Sequence, residues 1–164
     1  MSSAGIRYII GDATTPVGEG HKIITHCCND IGAWGKGFVL ALSKRWNFPE
    51  RAYKEWYRTG FWFGIRFELG QLQTVDVKPD ITVANFIGQH GLSRWDGIPP
   101  IRYEAFQHAF VRLQMTYDGE QEKVSFHMPR IGCGLAGGKW EKVEKIISDE
   151  LVDHGFSVIV YDLK

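Results

Sequence analysis

The sequence predicts an α/β protein, a three-layer α/β/α sandwich built on a mixed central sheet. Three observations carry that prediction. Short β-rich runs alternate with helical patterns along the chain, and several of those runs are continuously apolar, as strands covered on both faces are. Two glycine-rich loops each join an apolar run to a helical pattern. A length of 164 residues, 44% apolar and 13% aromatic, fills one sizeable core, so residues 1–164 read as one domain.

Taken in order, Ile6–Ile10 is the first strand, stopped by Gly11-Asp12, and Lys22–His26 is the second, stopped at the first glycine loop. Phe38–Arg45 has helical composition, and Pro49 in a first turn opens another helix carrying Ala52 and Trp56. The aromatic run Phe61–Phe67 precedes Gly70–Val77, whose alternation predicts a half-exposed strand, whereas Ile81–Ile87 predicts a fully buried one. Gly88–Pro100 is a polar loop punctuated by Gly and Pro. A helix follows from Tyr103, with Ala105, Phe106, Ala109, Phe110 and Leu113 on one face. Lys123–Met128 is a strand entering the second glycine loop. Trp140, Val143, Ile147 and Leu151 then recur at helical spacing, Gly155 is placed to cap that helix, and Ser157–Tyr161 closes the chain as a strand.

Lys plus Arg and Asp plus Glu each number 19, so no global field favours nucleic acid, and an anionic ligand must be held locally. Met1–Gly5 lacks the basic and apolar regions of a signal peptide, and no run approaches the ~18 apolar residues of a membrane span. A soluble, cytoplasmic protein with no membrane partner is expected. Three cysteines, two of them adjacent, make a poor disulfide framework and predict reduced thiols. Without CxxC or clustered Cys/His spacing, neither a metal site nor a cofactor is expected.

The glycine loops run from Asn29 to Phe38 and from Pro129 to Trp140. Glycine lets backbone N–H groups approach an anion closely, and a helix start adds unpaired N–H groups and its positive dipole end. Two such loops, both beyond the carboxyl ends of strands, predict one extended phosphate ligand gripped from both sides. The spacing Gly32-x-x-Gly35-x-Gly37 matches neither the GxGxxG of dinucleotide-binding folds nor the P-loop.

In order and spacing, three stretches resemble the macrodomain family over almost the whole chain. They are the strand ending at Gly11-Asp12, His26-Cys27-Cys28-Asn29 running into Gly32–Gly37, and Pro129-Arg130-Ile131-Gly132-Cys133-Gly134-Leu135 followed by Trp140. The resemblance is strongest to the branch of terminal ADP-ribose protein glycohydrolases and ADP-ribose-1″-phosphate phosphatases. It implies a macrodomain-like fold and an ADP-ribose ligand. By position, Asp12 would accept a hydrogen bond from the adenine amino group beside the backbone of Ala13. Gly32, Ala33, Trp34, Gly35, Lys36, Gly37 and Phe38 would wrap the diphosphate. Ile131, Gly132, Cys133, Gly134 and Leu135 would close over phosphate and distal ribose. Asn85 and Tyr103, with Glu104, are second-tier pocket candidates. A turn aspartate at Asp12 and a solvated lysine at Lys36 are the competing local readings.

The glycohydrolases of that branch carry an Asp after the second loop and a Lys after the strand equivalent to residues 81–87. This chain has Ala136 and Gln89 there. The polar residues left near the distal ribose are His26, Asn29, Asp30, Gln89 and His90. His26 stands where the related phosphatases carry a histidine, a residue type suited to acid/base work, and Asp30 would orient a water. Cys27, Cys28 and Cys133 read as packing or loop residues. The implied function is metal-independent hydrolysis of ADP-ribosyl modifications from proteins, ester-linked at Asp or Glu, by a monomer that releases ADP-ribose. Its partners would be ADP-ribose and ADP-ribosylated proteins, with ADP-ribosylated nucleic-acid ends an open question. The alternatives are an ADP-ribose-1″-phosphate phosphatase and a non-catalytic reader. RNA binding through Trp34, Trp62 and Trp95 ranks last, because no basic excess supports it.

Overall fold

Strands that are apolar on both faces need helices on both sides, and the connections supply them, the first two helices to one face and the last two to the other. The computed structural model describes residues 5–164; Met1–Ala4, part of the segment read above as lacking a signal peptide, lie outside the described residues. The strands are β1 (Ile6–Ile10), β2 (His21–Asn29), β3 (Phe61–Trp62), β4 (Ile65–Arg66), β5 (Leu72–Lys78), β6 (Ile81–Gln89), β7 (Val124–Met128) and β8 (Ser157–Asp162). The helices are α1 (Phe38–Arg45), α2 (Phe48–Thr59), α3 (Tyr103–Thr116) and α4 (Trp140–Glu150).

Six strands form one sheet in the order β1-β8-β7-β2-β6-β5, while β3 and β4 make a separate small hairpin. All sheet neighbours are parallel except β5, which runs antiparallel to β6. The sheet is therefore mixed, as the sequence predicts. One face packs Ile23, Ala84, Phe86 and Phe126 against Phe106 and Phe110 of α3 and Val143 and Ile147 of α4. The other packs Ile24, Val83 and Ile87 against Leu42 of α1 and Tyr53 and Trp56 of α2. Successive residues of β2 thus feed opposite cores, as period-two side-chain alternation requires.

Several strand ends shift by one or two residues from the sequence reading, and three boundaries differ for a physical reason. β2 continues past His26 to Asn29, and β6 continues past Ile87 to Gln89, because the two strands keep pairing with each other through Cys27↔Phe86, Cys28↔Ile87 and Asn29↔Gln89. The register jumps between the last two pairs, so Gly88 is the bulged residue. A Cβ there would lie 2.4 Å from the Phe106 ring and 2.8 Å from the Phe86 ring, so the bulge needs glycine. Gly155, at φ 92°, caps a short 3-10 turn (Val152–His154) beyond α4 rather than α4 itself.

Two buried polar networks cross the sheet. His26, Asn85 and Gln73 occupy one row across β2, β6 and β5. Asn85 Nδ2 donates to Gln73 Oε1 (2.9 Å) and to the Pro49 carbonyl (3.2 Å), and Gln73 Nε2 donates to the Ala52 carbonyl (2.9 Å), which fastens α2 to the sheet. With its amide nitrogen so engaged, Asn85 Oδ1 must accept from His26 Nε2. In the second network, His127 lies between Ser125 Oγ and the Tyr161 hydroxyl, each 2.7 Å away, and that hydroxyl accepts the Val17 N–H.

Burial pushes both His26 and His127 down to about 4, with Lys22 and Arg7 adding to the effect at His127. The unfolded chain binds these two protons near pH 6.5 while the folded chain refuses them, so stability is whole above that pH and falls on acidification toward pH 4. Each histidine should account for about 3 kcal/mol over that window. Urea midpoints should therefore drop steeply between about pH 7 and about pH 4.5, and less steeply in His127→Gln; a flat profile contradicts the assignment. Gly88→Ala should cost about 1–3 kcal/mol by the same measurement, because two packed rings must move.

Candidate functional site

β2 and β7 are adjacent and parallel, yet the chain leaves β2 toward α1 on one face and leaves β7 toward α4 on the other. The two exit loops diverge, and a crevice opens between them at the carboxyl ends of the strands. It measures about 610 Å³. His26 to Asn29 form its floor, Ala33 and Gly35 to Val39 one wall, and Pro129 to Gly132 with Gly134 to Ala136 the other. Gln89, Leu92 and Ser93 close one end.

The first wall is held by Asn29. Its Oδ1 accepts the Ile31 N–H (3.0 Å) and the Ala33 N–H (3.1 Å), Nδ2 donates to the Ala33 carbonyl (2.8 Å), and its main-chain carbonyl accepts the Tyr53 hydroxyl (2.6 Å). The Asn29 side chain thus holds the loop in shape, with one Nδ2 proton left over. Trp34 is likewise turned inward. Its indole packs edge-on against His26 and lies tilted against Tyr53, and Nε1 donates to Ser43 Oγ at 2.8 Å, so it anchors the loop. Gly32 is also away from the cleft, packed so tightly that a Cβ would lie 2.3 Å from the Tyr57 ring. Gly35 differs: a Cβ there meets nothing within 4 Å. α1 begins on this wall, with Gly37 as its cap at φ 79° and no acidic residue in its first turn. The N–H groups of Gly35, Lys36, Gly37 and Phe38 meet no acceptor among the described residues, so this wall presents free donors and a positive helix end.

The second wall is stapled by glycine. Gly132, at φ 73°, presses against Phe106 and Ile101, and its carbonyl accepts the Gly138 N–H at 2.7 Å. The Ala136 carbonyl accepts the Ile101 N–H at 3.1 Å. The N–H groups of Gly134, Leu135 and Ala136 meet no acceptor among the described residues. At the root of this loop Arg130 pairs with Asp162 through two bonds of 2.7 and 3.0 Å, with the rings of Tyr8 and Trp140 at 5.1 and 5.2 Å. It brings a fixed guanidinium, paired with Asp162, to a cleft whose other lining cation is exposed Lys36.

His26 is 1% exposed, and its neutral state follows from that burial. Because Nε2 carries the proton given to Asn85, Nδ1 is bare, and it meets no partner among the described residues. His26 therefore offers an acceptor and no acidic proton, a narrower role than general acid/base work. Burial also drives the Cys27 thiol up to about 12 and Cys28 well above its usual range, so neither is a thiolate. Asp30 and His90 meet at the rim, Oδ2 to Nδ1 at 2.6 Å, and Asp30 Oδ1 accepts the Gly91 N–H at 2.8 Å.

Several predicted residues lie elsewhere. Asn85 is wholly buried under α2, on the sheet face its neighbours Val83 and Ile87 share. The Tyr103 hydroxyl accepts the Lys139 N–H at 2.9 Å and bolsters the exit of the second loop, while Glu104 is exposed beside His108. Cys133 does not line the cleft; its Sγ donates to the Ile131 carbonyl and it packs on the core. Asp12 lies past the end of β1, where Oδ1 accepts the N–H and hydroxyl of Thr14, both at 2.8 Å, as a turn aspartate does. Neighbouring Ala13 packs with Phe38, which joins this turn to the cleft. The sequence reading missed Arg130, Val39, Leu92 and Ser93 as lining residues and Gly88 as the bulge. For Arg130 a signal existed in the aromatic Trp140 ten residues on; for the loop residues none did.

No family model matches the chain. Among solved structures, a protein of unknown function from Bacteroides thetaiotaomicron is 53% identical, with a TM-score of 0.91 over 96% of this chain and 98% of that one. Among curated proteins, a chromodomain-helicase-DNA-binding protein 1-like from Mus musculus is 27% identical over 98% of this chain. The chain spans only 18% of that protein's length and 15% of its Danio rerio counterpart's. An ADP-ribose 1″-phosphate phosphatase from Lodderomyces elongisporus is 26% identical over 96% of this chain and 99% of its own. A macrodomain protein from Streptomyces coelicolor is 49% identical, with a TM-score of 0.82 over 96% of this chain and 99% of that structure. With the sheet order, the two diverging loops and a likeness of that extent, the chain belongs to the macrodomain family.

Proposed function

We propose that this protein binds ADP-ribose in the cleft and hydrolyses ADP-ribosyl esters of protein Asp or Glu side chains, releasing ADP-ribose. The observation that carries the binding half is the pair of opposed backbone donor sets, Gly35–Phe38 and Gly134–Ala136, which converge on one crevice. A diphosphate carries two negative charges, and here it meets free N–H groups on both sides, a helix start, Lys36 and Arg130. Adenine would extend past Phe38 toward Asp12, whose second carboxylate oxygen remains open to the amino group. The distal ribose would lie toward Gln89, Leu92 and Ser93.

For catalysis, an ester at C1″ has a good leaving group, so what the site must add is orientation, a water and a place for its proton. Gln89 and Ala136 stand where the related glycohydrolases carry Lys and Asp, so a lysine-bound intermediate finds no nucleophile here. Direct attack by water is the remaining route. One observation favours a second reading, ADP-ribose-1″-phosphate phosphatase: that phosphatase relative aligns over nearly its whole length. Incubation with an automodified transferase separates the readings. Free ADP-ribose supports the first; phosphate released from ADP-ribose-1″-phosphate supports the second; tight binding with neither product means a reader.

Gly35→Glu is the sharpest test of the binding half, because the added side chain meets open space and φ is not left-handed, so the variant should fold. Calorimetric titration should show ADP-ribose binding lost, with the melting temperature unchanged. Normal binding by this variant would refute the two-wall site.

A further inference from the structure

We propose that Asp30 and His90 form the proton-accepting unit of this cleft, with His90 Nε2 taking a proton from the water that attacks C1″ of the bound ester. This rests on the hydrolase reading above and names its missing base. Both oxygens of Asp30 are committed, Oδ2 to His90 Nδ1 at 2.6 Å and Oδ1 to the Gly91 N–H at 2.8 Å. The Asp30 N–H donates to the Gln89 carbonyl at 3.0 Å, so first loop and Gly88–Pro100 loop are locked together at this point. A carboxylate facing Nδ1 fixes the neutral tautomer with its proton there, which leaves the lone pair on Nε2. The Asp30 side chain is 17% exposed and that of His90 60%, so the carboxylate is sheltered and the imidazole is open.

Position supports the role. Asp30 and His90 do not line the crevice itself; each directly follows a lining residue, Asn29 and Gln89, which puts the pair just outside the end where the distal ribose would lie. The bulge at Gly88 sets where Gln89 and His90 leave the sheet. The other groups near the ribose are poorer bases: His26 Nδ1 is bare but buried, and Asn29 and Gln89 are amides. His26 gives its proton to Asn85, Asn29 holds its own loop, and Gln89 Nε2 donates to the Gly91 carbonyl. An imidazole oriented by a carboxylate is the arrangement that proton-transfer catalysis recurrently uses. As the water oxygen bonds to C1″, the C1″–O bond to the acyl group breaks and its electron pair stays on the departing carboxylate. The water's proton passes to Nε2 and then to solvent. The products are ADP-ribose, a free Asp or Glu carboxylate and one proton.

The test measures kcat and KM on a Glu-linked ADP-ribosylated protein, and ADP-ribose affinity separately, for wild type, His90→Ala and Asp30→Asn. His90→Ala should lose ~10²–10⁴-fold in kcat with ADP-ribose affinity unchanged, and free imidazole should restore part of the loss. Asp30→Asn, which keeps one oxygen for the Gly91 N–H and turns an amide N–H toward His90, should lose less kcat, gain nothing from imidazole and keep its affinity. Wild-type kcat in His90→Ala, or a loss that imidazole cannot restore, overturns the assignment. A wild-type protein that binds ADP-ribose but releases none from any ester refutes the hydrolase reading itself, before any variant is compared.

Discussion

Two parallel neighbours, β2 and β7, send their chains to opposite faces of the sheet, and the cleft follows from that divergence. Backbone continuity forces each loop to turn away from the other, and the sheet beneath cannot fill the gap because its side chains stand perpendicular to the crevice. What remains to be specified locally is that each loop presents N–H groups instead of side chains. Glycine does this at Gly35, Gly37 and Gly134, while Gly32 and Gly132 serve packing, sitting against Tyr57 and Phe106 where any side chain would collide.

A neutral protein can therefore hold a strongly charged ligand. The charge balance of 19 against 19 leaves no long-range field, so binding relies on short, directed donors whose orientation is fixed before the ligand arrives. That fixing is done by residues that never touch the cleft's contents. Asn29 closes the first loop with three hydrogen bonds, Trp34 and Ser43 tie it to α1, and the row His26–Asn85–Gln73 tethers α2 below it. On the other side, Asp162, Tyr8 and Trp140 immobilise Arg130.

The fold was legible because its signals are local: apolar runs, helical periodicity, and glycine at strand-to-helix turns. Ile6–Ile10 and Phe38–Arg45 coincide with their elements residue for residue. The ends of β2 and β6 were not legible, because the extension past His26 and Ile87 comes from pairing between strands about sixty residues apart, which local composition does not encode. The same blindness misplaced site residues. Asn85 and Trp34 carry polar groups and lie beside the cleft in sequence, but which way a side chain turns is decided by tertiary partners, here Gln73 with Pro49 and Ser43. Cleft positions presented by backbone, such as Gly35 to Phe38, are more legible, since glycine spacing itself records where the chain turns. The pairing of Asp30 with His90 joins two loops that no pattern along the chain connects.

The central claim is that both glycine loops grip one diphosphate ligand through their backbone N–H groups, and amide resonances report that contact directly. In a ¹H–¹⁵N titration with ADP-ribose, the amides of Gly35–Phe38 and Gly134–Ala136 should shift together and saturate at one equivalent of ligand. A response confined to one loop, or two responses saturating at different ligand concentrations, would contradict the account.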